Sequence, residues 1–104
     1  MLLATSDLVA GKEVVETLGL VKGNSVQSRN IGRDMMAGLR NIVGGEMKEY
    51  AEMLVRSREI ATQAMEEEAK QLGADAIVGV RYATSSVMDG TSEVLVYGTA
   101  VKLK

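Results

Sequence analysis

A helical period runs from Lys48 to Leu72, stops at Gly73 and gives way immediately to the small-residue run Gly73-Ala74-Asp75-Ala76-Ile77-Val78-Gly79. Projected at about 100° per residue, Tyr50, Leu54, Ser57, Ala61, Met65, Glu68 and Leu72 share one sector, while Glu52, Arg56, Glu59, Gln63, Glu66 and Lys70 occupy the opposite one. This predicts a single amphipathic helix of about 36 Å at ~1.5 Å per residue. A glycine at its end supplies the left-handed residue that terminates helices, so Gly73 joins helix to strand with closely packed backbones. Two charges break the pattern. Glu68 falls inside the apolar sector and Arg58 at its margin, about 15 Å apart along the axis, too far to satisfy each other within one helix. Each therefore needs a snorkelling path, a partner on another element or subunit, or a ligand.

The flanks read as strands and a second helix. Leu2 to Thr5 is a short strand; Lys12 to Val26 is a longer one in which Gly19 and Gly23 mark bends or bulges, and 24–30 is a connector. From Ile31 to Val43 the residues Ile31, Met35, Leu39 and Ile42 fall on one helical face, with Asn30 as its cap and Gly44-Gly45 as its stop. Arg33 and Arg40 point to other faces of that helix. Asp75 to Met88 and Ser92 to Lys104 form a hairpin about Asp89-Gly90, a dipeptide favoured in tight turns. Opposing Met88 to Thr91 brings Tyr82 to Tyr97, Val80 to Thr99 and Val78 to Val101 on one side. Ile77, Gly79, Arg81 and Ala83 then lie on the other side with Lys102, Ala100, Gly98, Val96 and Val94, and Gly79 and Gly98 leave room for another backbone.

These elements specify an α+β domain over residues 1–104, with one long and one shorter helix packed on a mainly antiparallel sheet. Both hairpin sides are apolar, and one long helix cannot cover both, so one face is expected to meet another copy of the chain.

Composition narrows the function. Net charge is -2 and the only rings are three tyrosines, which leaves neither a basic surface nor stacking platforms for nucleic acid. The sequence has no His and no Cys, removing the usual neutral-pH base, the thiolate nucleophile and the preferred ligands of zinc. No apolar run is long enough for a bilayer, and the opening residues turn polar too early for a secretion signal, so a cytoplasmic protein is expected. No catalytic motif stands out. Candidate ligand or interface residues are Arg33, Arg40, Tyr50, Arg58, Glu68 and Arg81; Gly44, Gly45, Gly73, Gly79 and Gly98 are structural. A small ligand or cation is compatible with this set, the residues do not say which cofactor, if any, is bound, and no residue is assigned to a metal.

The ordered set Asn30-Ile31, Arg33-Asp34, Ala37 to Gly45, Tyr50, Ser57-Arg58-Glu59-Ile60-Ala61, Gly73 to Gly79 and Gly98-Thr99-Ala100-Val101 resembles the YbjQ family across essentially the whole chain. The resemblance implies a dodecin-like subunit and a homopentameric ring, and it carries a heavy-metal-binding label. The residues oppose that label. Soft metals need thiolate, imidazole or thioether donors, and only methionines are present. Met47 and Met53 diverge by about 120° on a helix and Met35 and Met36 by about 100°, so neither pair is a preformed clamp. Carboxylates gathered at a ring axis are the remaining route to a cation.

Overall fold

A computed structural model of the chain describes residues 1–28, 45–88 and 90–104. Strand β1 (Leu2–Leu3) is followed by β2 (Val14–Ser28), helix α1 (Gly45–Gln71), β3 (Ala76–Met88) and β4 (Thr91–Leu103). The sheet order is β1-β3-β4-β2, with β1 parallel to β3 and the other pairs antiparallel. The architecture is thus α+β, one long helix on a mixed four-stranded sheet. The helix expected at 31–43, with Asn30, Arg33, Arg40 and Gly44, lies outside the described residues.

Helix α1 is set into the sheet by small residues. Its fully shielded positions are Met53, Ser57, Ala61, Met65 and Ala69, a stripe in strict steps of four. Each step of four turns through about 400°, so the stripe drifts by about 40° per step around the axis. That drift corrects the expected face: Ala69 is buried, whereas Glu68 and Leu72 are exposed. A single fixed sector cannot show this rotation over 25 residues, because the sector centred on Ser57 is not the sector centred on Ala69. The helix starts at Gly45, three residues before the expected Lys48.

Gly23 is the contact point between layers. A Cβ there would lie 2.0 Å from the Ala61 carbonyl oxygen and 2.7 Å from the Met65 amide nitrogen, both backbone atoms. Gly23 is therefore a seat for the helix and not a bulge. Val21, Ala61, Met65, Ala69, Ile77, Val80, Val94, Val96 and Ala100 pack into the core between the layers. β2 continues to Ser28, through residues expected to be a connector.

Irregularities re-aim the side chains. In β2 the register shifts between Val14 and Glu16 and again between Thr17 and Gly19, where Gly19 has φ 134°. In β3 the shifts fall between Val78 and Arg81, where Gly79 has φ 63°, and between Ser86 and Met88. Met88 opposes Thr91 as expected, but Tyr82 faces Val96 and Arg81 faces Tyr97; Val78 faces Thr99 and Ala76 faces Val101. Each bulge slips the pairing by one residue and exchanges the faces beyond it. Tyr82 thereby points to the helix side. Gly98 sits under this region, with a Cβ position only 2.7 Å from Ile77 Cγ2 and 3.0 Å from the Val78 oxygen.

The chain covers part of its second sheet face itself. Ala76, Val78 and Val101 are packed by Val9, Val14 and Leu103, and Ala4 and Ser6 accept hydrogen bonds from Val80 and Gly79. Toward the hairpin tip this cover ends: Val26, Tyr97 and Met88 are 55, 39 and 60 % exposed. Among the described residues β3 has little cover there, every residue from Arg81 to Ser86 being exposed, because α1 lies over β2 and β4 and reaches β3 mainly at Tyr82.

Candidate functional site

The helix C-terminus is closed as its sequence predicts. Gly73 has φ 80°, its amide donates to the Lys70 carbonyl, and the Ala74 amide reaches the Ala69 carbonyl. Asp75 then accepts a hydrogen bond from the Leu103 amide at 2.9 Å, fixing the start of β3 against the end of β4. This joint sets the angle at which α1 leaves the sheet, and with it a groove between α1 and β3.

The groove is lined by Val55, Arg58, Glu59, Thr62, Gln63 and Tyr82. Thr62 Oγ1 donates to the Arg58 carbonyl at 2.7 Å and lies 2.9 Å from Tyr82 Oη. A threonine hydroxyl has one proton, and the Arg58 carbonyl takes it, so Tyr82 donates to Thr62. The tyrosine therefore keeps only acceptor capacity toward the groove. Donors come from the Arg58 guanidinium and the Gln63 amide, the negative charge from Glu59, and an apolar floor from Val55. The set is polar on one rim and formally balanced in charge. It can hold a small amphipathic group, and it contains no nucleophile paired with a base.

The residues singled out in the sequence are dispersed by the fold. Arg58 is in the groove. Tyr50 is half-buried on the adjoining helix face, its hydroxyl hydrogen-bonded to that of buried Ser92. Eight residues separate it from Arg58, about 12 Å along the axis. Arg81 is on the other side of the sheet, where one guanidinium nitrogen donates to the Thr5 and Val80 carbonyls at 2.9 Å each and clasps the N-terminal segment onto β3. Glu68 is exposed at the outer side of β2, accepting from the Lys22 amide at 3.3 Å. The expectation that Glu68 is buried is thus corrected: the drifting stripe brings it to the sheet margin, where it has both water and a donor. Gly45, Gly73, Gly79 and Gly98 are all at junctions or close approaches, while Arg33, Arg40 and Gly44 are outside the described residues. Tyr82 and Thr62 were missed as site residues, since their meeting depends on the bulge at Gly79.

The remaining polar groups between helix and sheet are satisfied internally. Ser57 donates to the Ser25 carbonyl at 3.4 Å and Gln27 to Ser25 Oγ at 3.0 Å. Among the described residues no three of His, Cys, Asp or Glu come together as a metal would require, and no helix is long and apolar enough to cross a membrane.

Comparison with known proteins places the chain. A family model described as "Putative heavy-metal-binding" matches residues 1–104. The chain belongs to the YbjQ family. UPF0145 proteins are its relatives: one from Vibrio parahaemolyticus is 58% identical over 103 residues, covering 99% of this chain and 98% of that protein. One from Clostridium novyi is 56% identical and covers 99% of both. An archaeal one, from Methanosarcina acetivorans, is 52% identical, covering 99% and 97%. Among solved structures, a protein of unknown function from Pediococcus pentosaceus assigned to the DUF74 family superposes with a TM-score of 0.68 at 20% identity, over 100% of this chain and 98% of that one. That likeness is one of fold.

Proposed function

We propose that this YbjQ-family chain is a non-enzymatic subunit of a homo-oligomeric ring that serves as a scaffold or holds a small ligand between subunits. Five copies is the number implied by the family resemblance, as is the dodecin-like description of the subunit. One observation carries the reading: among the described residues the distal part of β3 is exposed from Arg81 to Ser86, with only Tyr82 touching α1, and its outer edge is unpaired. A strand left in this state in an isolated monomer is a template for aggregation, which native proteins avoid by covering it. The shape agrees. The radius of gyration is 17.4 Å, against about 13 Å for a compact chain of about 100 residues. The exposed Val26, Tyr97 and Met88 add apolar area on the same distal end. Absence of His and Cys supports a binding or structural role over catalysis, which would need a carboxylate of raised pKa that nothing singles out.

A soft heavy metal does not fit the residues described within one subunit. Met53 and Met65 are core side chains, 5 and 0 % exposed, and the acidic residues do not cluster. The family description favours a cation all the same, and carboxylates from several subunits around an axis are the donor set left for it.

Light scattering at micromolar concentration tests the first reading. The expected mass is several times the 11.1 kDa of one chain, and a monomer contradicts it. Calorimetric titration of the assembled protein with calcium, magnesium and copper(I) tests the cation. Saturable heat with the hard ions at a stoichiometry below one per chain supports a shared carboxylate site, and tight copper(I) binding at one per chain contradicts the assignment of donors.

A further inference from the structure

Sheet edges carry an inference that rests on the oligomeric reading and says how the copies join. Backbone amides alternate in direction along an antiparallel strand. On β2 the Lys22 amide points away from β4, toward Glu68, so the amides of Asn24, Val26 and Ser28 point outward as well. On β3 the Val80 amide points away from β4 to the Ala4 carbonyl, so those of Tyr82, Thr84 and Ser86 do too, the run ending at the second bulge.

Among the described residues both edges are closed at the same end of the sheet and open at the other. Glu68 occupies the β2 edge at Lys22, and the N-terminal segment occupies the β3 edge through Val80. Lys22 and Arg81 stand at the same level, both opposite Tyr97. Three outward amides remain on each edge among the described residues.

The two edges are also complementary. β2 and β3 are each antiparallel to β4 and so run in the same direction. Asn24 is level with Ala83, both facing Leu95, and Val26 is level with Ser85, both facing Glu93. The outward residues of one edge are therefore offset by one position from those of the other. A parallel ladder requires this offset, because each residue bonds to the two partners that flank its own level.

Rotation about an axis running along the strands brings β3 of one copy beside β2 of the next without any shift of level. We infer that copies of this chain join head to tail by parallel addition of the β3 edge, Tyr82 to Ser86, to the β2 edge, Asn24 to Ser28, of the neighbouring copy.

This arrangement supplies what β3 lacks. Each copy contributes three long strands, about 14 Å of sheet at ~4.8 Å per strand, and one described helix about 10 Å across. Because α1 is seated over β2 and β4, the neighbour's helix, over its own β2, stands on the far side of Tyr82. The groove at Arg58, Thr62 and Tyr82 then gains its second wall, so the site is complete only between two copies. Heterologous contacts of this kind close into rings when the rotation per copy permits.

The natural absence of Cys gives a clean background for cross-linking. Val26→Cys combined with Ser85→Cys, and separately Asn24→Cys with Ala83→Cys, place thiols at matching levels on exposed positions. Within one chain each pair is two strand spacings, roughly 10 Å, apart and cannot form a disulfide; across a new ladder it is within reach. Mild oxidation of the double variants is expected to give a ladder of covalent multimers ending at the size of the native assembly, and the four single variants are expected to give none. Dimers from a single variant would show like edges pairing and overturn the inference. A multimeric protein whose double variants do not cross-link also overturns it and leaves the oligomeric reading standing; a monomer in light scattering ends both.

Discussion

Gly23 and Glu68 illustrate how far a single residue can be read. In the sequence Gly23 is a weak point in a strand, and bulge is its ordinary meaning; its actual role, admitting the Ala61 to Met65 turn of α1, is set by which turn of the helix crosses the strand at that level. Nothing local to Gly23 encodes that. Glu68 looked buried because a fixed sector was projected along the whole helix, although stripes in steps of four rotate. Gly73 was legible because its signal is local: a glycine ends the helix by its own conformation. The close approach at Gly23 makes a sharp prediction. Gly23→Ala pushes a methyl into backbone atoms that cannot rotate away, an overpacking that costs about 1–3 kcal/mol. At about 4–8 °C per kcal/mol for a domain of this size, calorimetry should show a lower thermal midpoint, and an unchanged midpoint would mean that helix and sheet are further apart at this point.

At the scale of elements, α1, β3 and β4 were readable to within a few residues because each has a strong period and a glycine punctuating its end. Faces were less readable. A strand alternates strictly, so one unpaired residue reverses everything after it, and the hairpin contains two such residues. Gly79 reads in the sequence as room for another backbone, but a bulge there and a straight close approach call for the same residue. The consequence for the site is direct, since Tyr82 meets Thr62 only because the slip at Gly79 turns it toward α1. Gly79→Ala tests this. Its φ of 63° is unfavourable to a side chain by roughly 1–2 kcal/mol, so the variant is expected to melt several degrees lower and to show a changed environment for the Tyr82 ring by NMR. An unperturbed ring with full stability would remove the bulge from the account.

Across the whole molecule, the sequence indicated that one long helix cannot shield two apolar sheet faces, and the fold refines this. The N-terminal segment covers Ala76, Val78 and Val101, while the distal strands, 13 to 15 residues long, run on past it. That partition was not legible, because Val9 and Leu8 look alike in sequence, yet Val9 is packed and Leu8 is 75 % exposed. The molecule measures 56 × 22 × 16 Å, a ribbon backed by one described helix, and the account holds that copies of the chain complete it along their edges. Hydrogen–deuterium exchange on the native protein reads those edges most directly. The amides of Tyr82, Thr84 and Ser86 point away from β4 and have no acceptor among the described residues, and the proposed ladder gives them one on the neighbouring copy. Exchange slowed to the level of the core amides of β4 is predicted at these three positions; exchange as fast as that of an exposed loop, in a protein at micromolar concentration, would contradict the account.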